Sequence, residues 1–101
     1  MVNEAEGKAR LLQLRQQIDD VDDRILDVLV ERFAITRQVG LVKRDAGLSP
    51  VDNSREGELY ARIRDKANER GIDGDVVADV YRALIAHVVV EHKAIAAGEH
   101  L

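Results

Sequence analysis

Cysteine is absent from the chain, which excludes disulfides, thiolate catalysis and cysteine-ligated metals. Aromatic residues are scarce, 3% of the sequence with no tryptophan, so large rings cannot build the core. A single proline, Pro50, and few glycine clusters argue against a fold of short strands and tight turns. No apolar run approaches the length of a signal-peptide core or a membrane span. The expectation is a cytoplasmic chain that meets no membrane. The formal net charge is −4, which disfavours nucleic acid and anionic membrane surfaces as partners, since both reward a basic face.

What remains is aliphatic and charged. Hydrophobic residues make up 46% and charged residues 34% of 101 positions, the balance of a globular chain rather than a disordered one. The length is that of one domain, residues 1–101, near the size where a single core begins to suffice. Residues 1–10 are polar and read as a frayed N-terminus, and residues 98–101 as a C-terminal tail. Ala, Val, Leu, Ile, Arg and Glu are plentiful, which favours helices packed through aliphatic seams.

The spacing predicts three helices. In the first, from about Glu4 to Arg44, Leu11, Leu14, Ile18, Val21, Ile25, Val28, Ile35, Val39 and Val42 recur at the alternating three-four step of a helical seam. After Gly7 only Gly40 interrupts it. Gly47 and Pro50 are stop signals. A second helix begins near Asp52 or Ser54, either able to cap it, carries Leu59, Ile63 and Ala67 inward, and ends near Gly71. Asp73-Gly74-Asp75 opens a third, running to about Ala97 with Val77, Val80, Tyr81, Leu84, Val88 and Ile95 on one face. No repeat or low-complexity segment is present.

The first helix is long for its chain. About 40 residues at 1.5 Å each give roughly 60 Å, against a radius of gyration of about 13 Å for a compact domain of this size. The two shorter helices cannot cover such a seam throughout. A second copy of the chain is the simplest partner to cover the rest.

Several polar residues break the apolar pattern. Arg32 falls where the seam expects an apolar residue, between Val28 and Ile35. Lys43 follows eleven residues later, within roughly 20° of the same direction and about 16 Å along the axis. Arg15 lies roughly 100° away from Arg32 on the cylinder; it joins the cluster more easily from a partner chain than from its own. Arg55 and Glu56 open the second helix one loop after Lys43. Each has an ordinary alternative. A seam arginine can snorkel to solvent or pair with a carboxylate, Lys43 can simply complement a helix C-terminus, Arg55 can be a surface residue, and Asp52 can be only an N-cap. The spacing of the set favours a shared site.

That set, Leu11-Leu12-Gln13-Leu14-Arg15, Ile18-Asp19-Asp20-Val21-Asp22, Ile25-Leu26, Leu29-Val30-Glu31-Arg32, Val39-Gly40, Lys43, Asp52 and Arg55-Glu56, resembles the AroQ-type, all-helical chorismate mutases. The likeness extends from about Leu11 to Ile95. It implies an all-α fold of three helices per subunit with a very long first helix, interlocked as a homodimeric bundle. It implies the [3,3] rearrangement of chorismate to prephenate in aromatic amino acid biosynthesis, with no cofactor and no metal. Carried over by position, Arg15 of a partner chain, Arg32 and Arg55 resemble the family's carboxylate-clamping arginines. Lys43 matches the lysine that contacts a carboxylate and the ether oxygen. Asp52 and Glu56 match positions that address the ring hydroxyl and order the pocket.

The third helix departs from the family pattern. Val88 stands where the enterobacterial type has a serine near a carboxylate, and His92 where many members have a glutamine or glutamate donating to the ether oxygen. His92 is expected to make that donation beside Lys43; in another register Glu91 would enter the pocket, where it would need a proton to donate. These departures keep isochorismate–pyruvate lyase and 4-amino-4-deoxychorismate mutase activity on the same scaffold as alternatives. A non-catalytic helical dimerisation module is an alternative of another class, though it leaves Arg32 within the seam and Lys43 on its face without a purpose.

Overall fold

In the computed structural model, residues 2–99 are described; residue 1, and residues 100 and 101 of the expected C-terminal tail, lie outside them. Three helices follow in order, α1 Glu4–Asp45, α2 Asn53–Glu69 and α3 Gly74–Ala96, with no strand among the described residues. The chain divides into two compact units between Ala34 and Ile35, within α1.

The first unit is helix alone. It starts at a capping box, in which Asn3 Oδ1 accepts from the Glu6 backbone N–H at 2.8 Å and the Glu6 carboxylate accepts from the Asn3 N–H at 3.4 Å. Glu4 and Glu6 add negative charge where the helix dipole favours it. Helix α1 begins at Glu4, the start that its spacing leads one to expect. Along its apolar seam Leu11, Leu14, Ile18, Val21, Ile25 and Val28 remain between 38% and 61% exposed among the described residues. Arg15 is exposed and Arg32 half-buried.

The second unit contains the end of α1 with α2 and α3. Helix α1 stops at Gly47, whose φ of 68° suits a residue without a Cβ. There the Leu48 N–H donates to the Lys43 carbonyl at 2.8 Å and the Gly47 N–H to that of Arg44 at 3.2 Å, the paired bonds of a Schellman ending. The same pair of bonds closes α2 at Gly71. Of the two expected caps for α2, Asp52 is the one used, its side chain accepting from the Arg55 N–H at 3.0 Å. Asp73 caps α3 by accepting from the Asp75 and Val76 N–H groups.

Helices α2 and α3 pack closely because small residues face each other at their junction. Ala67 and Ala78 are buried, and a Cβ on Gly74 would lie 3.0 to 3.2 Å from Asn68 Oδ1 and the Arg64 backbone. The inward stripe of α3 is the expected one at Val77, Tyr81, Leu84, Val88 and Ile95, and departs from it at Val80. Val80 is 57% exposed, whereas Ala78, Tyr81, Ile85, Val88, His92 and Ile95 are buried or half-buried. Val80 turns outward, and the buried stripe passes instead through Ala78, a small residue that does not stand out in a hydrophobic pattern, and through His92, which the spacing from Val88 places on the same face. No large side chain is completely buried among the described residues. None of the helices there is long and apolar enough to cross a membrane.

Candidate active site

Lys43 occupies the last turn of α1, where a cation also complements the helix dipole. The Schellman ending turns the chain so that the loop carbonyl of Pro50 comes within 3.5 Å of Lys43 Nζ, which donates to it. From the other side comes His92 of α3, only 5% exposed, with Nδ1 3.4 Å from Lys43 Nζ and Nε2 2.7 Å from the Thr36 carbonyl oxygen. The approach is possible because position 40 is glycine. A Cβ there would lie 2.7 Å from His92 Cδ2 and 2.9 Å from Ile95 Cδ1, well inside van der Waals contact.

Of the residues expected from sequence, Lys43 and His92 are therefore joined directly. Asp52, Arg55 and Glu56 are gathered at the start of α2, but within the described residues no hydrogen bond or ion pair links them to Lys43 or His92. Asp52 spends one carboxylate oxygen on its cap and is otherwise exposed, as is Arg55. Glu56 is half-buried and borders a hollow of about 510 Å³ between α2 and α3, shared with Tyr60, Arg82, Ile85 and Lys93. Arg82 is a cation that sequence did not single out; it pairs with Asp79 and lies 5.7 Å from the centre of the Tyr60 ring. Lys43 borders a different, mostly apolar depression with Ile35, Val39, Val42 and Leu48.

Val88 lies one turn before His92, half-buried and without a group to hydrogen-bond. Glu91 is half-buried; it is His92 that meets Lys43. Arg15 and Arg32 belong to the first unit, the one exposed and the other half-buried on its helix.

Thr36 and the Pro50 carbonyl were missed by sequence reasoning, and Gly40, part of the family pattern, was given no role there. The only signal for them was Gly40 itself, an isolated glycine inside a helical pattern, which often marks close backbone approach or packing. Main-chain carbonyls carry no sequence signature.

In chemical terms the second unit offers a fixed ammonium backed by a buried imidazole. Lys43 Nζ has three hydrogens, and its two partners, His92 Nδ1 and the Pro50 carbonyl, leave one for an external acceptor. Such a group stabilises negative charge that develops on a nearby oxygen.

Comparison with known proteins bears on the family of the chain. Residues 14–93 match chorismate mutase type II. A chorismate mutase of Methanocaldococcus jannaschii is 31% identical over 78 residues, 77% of this chain and 79% of that protein. A T-protein of Enterobacter agglomerans is 38% identical over 77 residues, and a bifunctional chorismate mutase/prephenate dehydratase of Aquifex aeolicus 30% identical over 80 residues. The matched segments cover 76% and 75% of this chain but only 21% and 22% of those longer proteins. With the match spanning all three helices, the chain belongs to the type II chorismate mutase family.

Proposed function

We propose that this chain converts chorismate to prephenate, as a homodimer in which each pocket is completed by Arg15 of the partner chain. The reaction breaks the ether C–O bond and forms a C–C bond within one molecule, so no proton, nucleophile, metal or redox partner takes part. Catalysis then consists of holding the enolpyruvyl arm over the ring and stabilising charge on the ether oxygen. Lys43 supplies that stabilisation with its remaining ammonium hydrogen. Arg15, Arg32 and Arg55 hold the two substrate carboxylates, for which the planar guanidinium fork is suited. Asp52 addresses the ring hydroxyl with the carboxylate oxygen not used as a cap, and Glu56 orders the pocket wall. Val88 contributes shape and no hydrogen bond.

The observation that carries the reading is Lys43 held between a buried histidine and a loop carbonyl, in a chain of this family. The dimer is supported by the uncovered seam. Six apolar side chains from Leu11 to Val28 remain about half exposed. Covering the rest is worth roughly 1 kcal/mol apiece, on the order of 6 kcal/mol per chain.

The test is to follow loss of chorismate absorbance with the purified protein and no added cofactor, and to identify the product. Prephenate is expected. Turnover of isochorismate or 4-amino-4-deoxychorismate in preference to chorismate would move the activity to one of the related reactions on this scaffold. No turnover of any of the three would refute the catalytic reading and leave a helical dimerisation module.

A further inference from the structure

Thr36, Gly40 and Lys43 are spaced by four and three residues, so they share one face of α1, and His92 meets that face from α3. In an α-helix a side chain leans back over the turn before it, so residue 40 would ordinarily shield the carbonyl of residue 36. Gly40 leaves that carbonyl open to a second donor. A Cβ there would sit 3.2 Å from His92 Nε2, in the path by which the imidazole reaches Thr36 O at 2.7 Å.

The hydrogen-bond types assign the ring. A carbonyl only accepts, so Nε2 carries the hydrogen. Nδ1 then presents a lone pair at 3.4 Å to the Lys43 ammonium, which only donates. A neutral imidazole has one N–H, and here the Thr36 carbonyl takes it. None remains for a substrate oxygen, although donation to the ether oxygen is the role expected of this position.

We propose that His92 is a positioning residue for Lys43 and not a contact of the substrate. The Thr36 carbonyl, reached through the gap at Gly40, holds the ring as the Nε2–H tautomer. Nδ1 and the Pro50 carbonyl then take two ammonium hydrogens and aim the third at the reacting oxygen. The last clause rests on the chorismate mutase reading; the tautomer and the pairing do not.

The test has a spectroscopic and a kinetic arm. Long-range 15N–1H correlation on the 15N-labelled chain without substrate, with the His92 signals assigned by their loss in His92→Gln, is expected to show a protonated Nε2 and a bare Nδ1. Lys43→Met should shift the Nδ1 resonance. An Nδ1–H tautomer, or an Nδ1 signal that ignores Lys43→Met, overturns the proposal. In the kinetic arm, His92→Ala should lower kcat about tenfold, roughly the worth of one hydrogen bond to a charged group. Added to Lys43→Met it should cost less than about twofold further, because a residue acting through Lys43 has nothing left to position. His92→Gln, whose amide both donates and accepts, should recover much of the loss. Losses that multiply in the double variant overturn the proposal. A chain that leaves chorismate unchanged refutes the functional reading, and the spectrum still decides the pairing.

Discussion

Gly40→Ala tests how closely α3 approaches α1. In an open helix interior this exchange stabilises, by roughly 1 kcal/mol, because alanine is the better helix former. At position 40 the new methyl would lie 2.7 Å from His92 Cδ2 and 2.9 Å from Ile95 Cδ1. His92 Cδ2 belongs to a rigid ring, and burial of both residues leaves little room for the ring or for the end of the Ile95 side chain to move. Overpacking of this kind costs about 1–3 kcal/mol, and displacing the imidazole from the Thr36 carbonyl loses about 1 kcal/mol more. After the propensity gain is subtracted, a net destabilisation of about 1–3 kcal/mol is expected. In urea this is a fall in midpoint of about 1 M, taking m near 1–3 kcal/mol/M, measured at matched protein concentration because dimer stability depends on it. Gly57→Ala is the control. Gly57 lies inside α2, and a Cβ added there would meet nothing within 4 Å, so that variant should gain about 0.5–1 kcal/mol. If Gly40→Ala raises the midpoint as Gly57→Ala does, His92 is not packed against α1 and the arrangement of the site is wrong.

Further tests address the assembly and the charges. Mixing refolded Arg15→Ala chains with Lys43→Ala chains should restore roughly a quarter of wild-type activity: half the dimers are mixed, and each of these has one intact site. No recovery would show that Arg15 serves its own chain or neither. Lys43→Met should reduce kcat by about 10² to 10³, the usual loss for removing a preorganised donor to a developing oxyanion, as read from the initial rate of chorismate loss. Val21→Asp, placed in the middle of the uncovered seam, should yield a monomer by sedimentation; an unchanged dimer would place the interface elsewhere. Asp52 separates two roles. Asp52→Ala should cost about 1 kcal/mol of stability through loss of the α2 cap, while Asp52→Asn keeps the cap and, if Asp52 addresses the ring hydroxyl, loses catalytic efficiency alone.

The helices were legible in the chain because their causes are local. The three-four recurrence from Leu11 to Val42 requires only side-chain spacing. Gly47, Gly71, Asp52 and Asp73 mark the ends through backbone angles and caps that each residue determines with its immediate neighbours. Lys43 was legible for a similar reason, as a cation on an otherwise apolar face. The inward stripe of α3 was not legible through Val80, because the facing surface selects the buried side of a helix that carries aliphatic residues on several sides.

Only the tertiary structure decided what His92 touches. Its partners, Thr36 and Lys43, lie 56 and 49 residues away, and the bond to Thr36 is to a main-chain carbonyl, which every residue possesses. An isolated glycine within a helix such as Gly40 is compatible with a close approach, but whether one occurs, and by which residue, depends on how α3 turns against α1. From the sequence alone come the three helices, their caps, the apolar seam and the cations set into it, since these follow from periodicity and local chemistry. The pairing of a particular imidazole with a particular ammonium through the space left by one missing methyl is a matter of packing, and packing is settled by residues far apart in the chain.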